Sequence, residues 1–151
     1  MFILLESVGE YSDSHTTAIA ASRDRSKLEE RIAFLWARQN RWRTLWGQLN
    51  ANIKNIGMEI SQISERPECP PCEPGPQNNV WHANRTRVKR QYEAEINAWL
   101  EKRHEESETI RELAIQKLKQ DNPDVSDEEA SGLNWSRCSE ADYDIEEVEE
   151  L

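Results

Sequence analysis

The chain is short of several things, and each shortage rules something out. It contains no run of about 18 apolar residues, so no helix in it is expected to cross a membrane. The opening Met1-Phe2-Ile3-Leu4-Leu5 has no basic residues before its apolar stretch and is cut short by Glu6, so no secretory leader is expected. Three cysteines are an odd number and a poor basis for a secreted disulfide framework, which makes the cytoplasm the expected compartment. Hydrophobic residues make up 36% of the chain and mean hydropathy is −0.90, too polar for a round, thick-cored enzyme. His15, His82 and His104 have no Ser, Cys or carboxylate partner at a meaningful spacing. Glu105, Glu106 and Glu108 lack the spacing to a histidine that di-metal bundles use. No catalytic residue, resident metal or cofactor is therefore expected.

What the chain does contain is charge, tryptophan and a regular apolar repeat. Charged residues make up 32%, and six tryptophans together with that repeat argue against disorder. The net charge of −10 is uneven: residues 121–151 carry one basic and twelve acidic side chains, while everything before them is close to balanced.

Phe2-Ile3-Leu4-Leu5-Glu6-Ser7-Val8 and His15-Thr16-Thr17-Ala18-Ile19-Ala20-Ala21 flank a stretch of turn formers, Gly9-Glu10-Tyr11-Ser12-Asp13-Ser14. That arrangement predicts two antiparallel strands. Ser22 or Asp24 is placed to cap the helix that follows. Steps of four and three from Leu28 then land on Ile32, Leu35, Gln39, Trp42, Trp46, Leu49, Ile53, Ile56, Ile60 and Ile63, a heptad seam with ten apolar members out of eleven. Five prolines between Pro67 and Pro76 end it. A second helix, starting at Asn78 or Asn79, carries Trp81, Val88, Tyr92, Ile96, Trp99, Ile110, Ala114 and Leu118 on one face.

These elements predict an α+β fold in which a small antiparallel sheet, residues 1–25 and 141–151, carries a coiled-coil helical hairpin, residues 26–119. Its Pro/Cys tip is expected at residues 66–77, and residues 120–140 read as an irregular acidic linker. Folding the helices back about the tip sets Ile60 near Asn84, Ile53 near Tyr92 and Trp46 near Trp99, with Gln39 opposite the polar stretch 103–107. Tyr143-Asp144-Ile145-Glu146-Glu147-Val148 alternates and then slips by one residue, which predicts a bulged edge strand.

The two ends, Phe2-Ile3-Leu4-Leu5 through Gly9-Glu10-Tyr11-Ser12-Asp13, Ala18-Ile19-Ala20, Ser26-Lys27-Leu28-Glu29-Glu30-Arg31-Ile32 and the closing strand, resemble small ββαβ proteins of phages and bacteria. The resemblance implies that fold for about 45 residues, with the helical hairpin as an insertion, and a possible phage origin. It implies no activity.

Cys69-Pro70-Pro71-Cys72 has the spacing of a redox or zinc pair. It does not open a helix as a thioredoxin-type motif does, and only His82 lies near enough in sequence to add a ligand, so a stiff loop is the plainer reading, with a zinc shared by the tips of two copies or a local disulfide as the alternatives. Arg85, Arg87, Lys89 and Arg90 run beside Trp81, and Arg38, Arg41 and Arg43 beside Trp36 and Trp42. Such interleaving suits nucleic acid, but the net negative charge opposes it, so nucleic acid is not the expected partner. The leading expectation is a non-enzymatic module that binds another protein or self-associates, as a homodimer for example, through Trp36, Trp81, Cys69 and Cys72. The alternative is a phage-encoded inhibitor of a host enzyme whose Glu146, Glu147, Glu149 and Glu150 imitate phosphates.

Overall fold

A computed structural model of the chain describes residues 1–9, 14–72, 74–139 and 141–149. In order along the chain, the described residues form β1 (Phe2–Val8), β2 (His15–Ser22), α1 (Arg25–Ile60), α2 (Asn79–Asp121), α3 (Asp127–Ser131), α4 (Trp135–Cys138) and β3 (Ala141–Glu147). The fold is α+β, with an antiparallel sheet ordered β2-β1-β3 and two long helices. No described helix is long and apolar enough to cross a membrane. Residues 10–13 of the expected strand-joining turn lie outside the described residues.

Two compact units divide the chain, Met1–Ala51 with Leu118–Leu151, and Asn52–Lys117. Both boundaries fall inside a long helix, so this division differs from the expected one between sheet, hairpin and linker.

In the first unit β1 is the central strand. Its alternation turns Phe2 and Leu4 to one face, where fully buried Leu4 meets Leu28 and Leu35 of α1, with Ala20, Ile32, Tyr143 and Ile145 packed around them. β3 pairs with β1 without a break from Val8↔Ala141 to Phe2↔Glu147, and beyond the strand Val148 N donates to Met1 O at 2.8 Å. The predicted bulge is therefore not in β3. It is in β2, where Leu4↔Ala20 is followed by Leu5↔Ala18 and Ile19 is the extra residue. The slip between Ile145 and Val148 has a simpler cause: Val148 lies past the end of the strand and need not keep its alternation.

Of the two capping candidates, Asp24 takes the role. Its Oδ1 accepts from Ser26 N at 3.0 Å and Ser26 Oγ at 2.7 Å, which holds its carboxyl below the usual carboxylate range. Along α1, Leu28, Leu35, Gln39 and Leu49 are buried as the seam predicts, but so are Leu45 and Asn52, which lie off it. A straight α-helix rotates by roughly 20° per heptad relative to a strict seven-residue repeat, so the buried face moves across the seam with distance.

Of residues 120–140, expected as an irregular linker, the described 120–139 are well built. Ser126 Oγ accepts from Glu129 N to cap α3, and Asn134 Oδ1 accepts from Arg137 N to cap α4. Val125, Ala130, Leu133 and Cys138 are buried. Arg41 donates to Glu129 through Nε and Nη2 (2.8 and 3.1 Å) and to Asp124 through Nη1 (2.8 Å). The guanidinium lowers both carboxyl pKa values and has its own raised by these hydrogen bonds. Part of the acidic excess is thus neutralised internally.

In the second unit the helices run antiparallel in a register the sequence did not suggest. Asn52 Nδ2 donates to Ala114 O at 3.3 Å, and Ile110 Cδ1 lies against Gly57. Glu106 accepts from Ser61 Oγ at 2.6 Å and from Gln62 N at 3.2 Å, where α1 has just ended. Ile60, expected beside Asn84, lies instead near residue 107, a displacement of about three heptads. Gln39 does not face residues 103–107 either; its Nε2 donates to Ser139 O in the first unit. A heptad pattern matches itself at every shift of seven residues, so apolar periodicity alone cannot choose between such registers.

Candidate functional site: a groove beside the proline-rich segment

The displaced register leaves the first half of α2 with no helix of this unit against its apolar stripe. The proline-rich segment takes that place. Residues 61–72 form no helix, strand, turn or bend. Ser64 O accepts from Trp99 Nε1 at 2.9 Å, and further along Cys69, Pro70, Pro71 and Cys72 line a groove together with residues of α2 between Trp81 and Glu93. Between these two contacts the segment runs back along α2, from Trp99 to the stretch between Trp81 and Glu93. The prolines do not turn the chain tightly at a tip; they hold it extended along the helix. The reversal into α2 falls at the far end of the expected 66–77, where Gly75 and Asn78 are bends.

Segment and helix enclose a groove of about 540 Å³. Pro70 and Pro71 form one wall, and Trp81, Val88 and Tyr92, each half-buried, supply apolar surface on the other. Arg85, Arg87 and Lys89 add positive charge, with Glu93 as the acidic member of the lining. Residues 74–92 hold four basic and no acidic side chains, so the positive charge is a local property of this stretch within a chain that is acidic overall. Asn78 Oδ1 caps α2 by accepting from Trp81 N at 3.0 Å, which fixes the start of the helix and the place of Trp81. The Trp81 ring lies edge-on to His82, centroids 5.0 Å apart, and the Arg85 guanidinium stands 5.3 Å from its centroid.

Three of the sequence-predicted residues, Cys69, Cys72 and Trp81, come together here. Trp36 does not join them: it lies in the first unit, half exposed, edge-on to Tyr143 with centroids 6.3 Å apart. Glu146 and Glu147 are exposed on β3, Glu149 is exposed just beyond it, and Glu150 lies outside the described residues. Val88 and Tyr92 are not marked by the sequence as members of a site, whereas Pro70 and Pro71 lie within the expected stretch from Cys69 to Cys72. The available signal was length, since the 18 residues between α1 and α2 are far more than an antiparallel helix pair needs.

The first unit has a smaller cavity, about 230 Å³, lined by Glu6, Arg38, Trp42, Arg137 and Tyr143 among others. Its charges are largely engaged: Arg38 and Arg137 stack on Trp42 at 4.7 and 5.8 Å, and Glu6 accepts from Tyr143 Oη at 3.2 Å. Burial, with Glu6 alongside, raises the phenol's pKa. Among the described residues no three His, Cys, Asp or Glu side chains are grouped to hold a metal ion.

Compared with known proteins, the chain matches no family model, no curated protein and no solved structure.

Proposed function

We propose that this protein is a non-enzymatic protein-interaction module, and that its groove between the proline-rich segment and α2 receives an acidic segment of a partner protein carrying an apolar anchor. The observation that carries this is the lining itself. Two prolines and three half-buried apolar side chains offer a place for an anchor, while Arg85, Arg87 and Lys89 complement nearby carboxylates. A groove of about 540 Å³ accommodates a few side chains rather than a folded surface. The proline wall is already extended, so it loses little conformational freedom when a partner binds.

Fluorescence anisotropy with labelled peptides tests this. Acidic peptides with a Leu or Phe anchor should bind saturably and weaken as salt rises, whereas basic peptides should not bind. Trp81→Ala and Arg85→Glu should each reduce affinity at least tenfold. Binding that ignores both substitutions, or a preference for a single-stranded oligonucleotide over every peptide, overturns the reading.

A second reading, of an acidic inhibitor that imitates nucleic acid, is favoured by one observation. Asp142, Asp144 and Glu146 are exposed at alternate positions of the edge strand β3, so they line one face at a repeat of roughly 6.8 Å. A row of evenly spaced charges is what a phosphate backbone offers a basic enzyme. The resemblance of the chain's ends to small phage and bacterial ββαβ proteins suits the same reading. The triple variant Asp142→Asn, Asp144→Asn, Glu146→Gln should then lose the ability to displace DNA from a target nuclease, while Trp81→Ala keeps it.

A further inference from the structure

Cys69 and Cys72 are free and exposed, whereas Cys138 is buried and its Sγ donates to Trp42 O. The two exposed thiols are separated by two prolines on a stretch of backbone without turn or bend. Each residue before a proline is held extended, which here applies to Cys69 and Pro70. A proline-rich extended chain has three residues per turn and rises about 3.1 Å per residue. Cys69 and Cys72 therefore fall on the same side of the segment, with their α-carbons about 9 Å apart, beyond the roughly 7 Å that a disulfide can span.

Closing that distance within one chain needs a tight turn centred on Pro70 and Pro71. Pro71 cannot take the positive φ of a type II turn, and Pro70, standing before a proline, is kept out of the helical region a type I turn requires. With the Pro70–Pro71 bond trans, the prolines act as a spacer that stops the two thiols from bridging each other. A second copy presents the same pair at the same spacing on the same kind of straight, exposed segment. Brought together about a two-fold axis parallel to the segments, Cys69 of one copy faces Cys69 of the other and Cys72 faces Cys72, two pairs of thiols at once.

We propose that Cys69 and Cys72 are an oxidation site that joins two copies of this chain through two intermolecular disulfides. Peroxide supplies the oxidant. It converts one thiol of each facing pair to a sulfenic acid, releasing water. The opposing thiol then attacks that sulfur, forming the S–S bond and releasing a second water. Two bridges consume two peroxides and give four waters. The proposal does not rest on the groove receiving a partner segment.

The test is intact-mass spectrometry of the full chain treated with hydrogen peroxide and kept free of reductant. The expected product is a dimer lighter than two chains by four hydrogens and returned to monomer by dithiothreitol, with Cys138 still a thiol. Cys69→Ser should give a dimer lighter by only two hydrogens, and the double variant Cys69→Ser, Cys72→Ser should stay monomeric. Replacing the spacer, Pro70→Gly with Pro71→Gly, should divert oxidation to a monomer lighter by two hydrogens. A wild-type monomer lighter by two hydrogens, a monomer that only gains oxygen, or a dimer that needs Cys138 would each overturn the proposal.

Discussion

The two compact units share their helices but are held together differently. The first buries Leu4, Leu28, Leu35, Leu45, Leu49, Leu118, Val125, Ala130, Leu133 and Cys138, a core built from sheet, α1 and the α3–α4 segment. In the second, the buried side chains among the described residues are Asn52, Ile110 and Ala114, and most of its apolar residues stay half-buried along a seam. Charge divides unequally as well: nine basic and eighteen acidic residues in the first unit, ten and eleven in the second. The well-filled unit supplies stability. The lean one leaves apolar and basic side chains around a groove, the surface to which the proposed function assigns a partner segment.

The sharpest way to break this comparison is to cut one side chain from each unit. Leu4→Ala or Leu133→Ala should cost about 2–5 kcal/mol in urea denaturation, because both sites are almost fully enclosed. Val88→Ala, half-buried in the groove, should cost about 1 kcal/mol or less. Equal costs would mean that the second unit has a core of its own.

Next in size is the difference in local opening. Amides of residues 81–93 should exchange with deuterium well before those of β1, because few buried contacts hold that half of α2 in place. Matching protection in both regions would count against the division.

Arg41→Ala should have a smaller effect that depends on pH. Arg41 depresses the Glu129 pKa from its ordinary 4.5, so the pair's contribution is complete above that value and fades as pH falls through the lower folded value. The Tm gap between wild type and variant should therefore be open at pH 7 and close in acid; a gap that stays constant with pH would dismiss the ion pair as its source. Smallest of all should be Glu146→Gln, on the exposed edge of the sheet, which should leave Tm nearly unchanged.

Much of this fold is legible in the residues. A short apolar run beside turn formers marks β1, alternation marks β3, heptads mark α1, and Asp24 and Asn78 lie among the capping residues the sequence offers at the two helix starts. The pairing of α1 with α2 is not legible, because a repeat of seven looks nearly the same after a shift of about three heptads. The structure chooses by other means: Asn52 finds the Ala114 carbonyl, and Glu106 meets the free end of α1. Val125, Ala130, Leu133 and Cys138 were overlooked because helices of five and four residues are too short to show a period. At the groove, Cys69, Cys72, Trp81 and the basic stripe stand out in the sequence, but their meeting does not. Proline fixes φ and forbids helix; it does not say which surface the extended chain will lie on.

The central claim is that residues 64–72 lie back along α2 before the chain reverses into it, and one measurement addresses it directly. In a Cys69→Ser background, a nitroxide placed on Cys72 should broaden the amide NMR signals of residues 81–93 and leave those of residues 53–60 sharp. Equal broadening of both stretches, as a tip lying between the two helix ends would give, or no broadening of residues 81–93, would contradict the account.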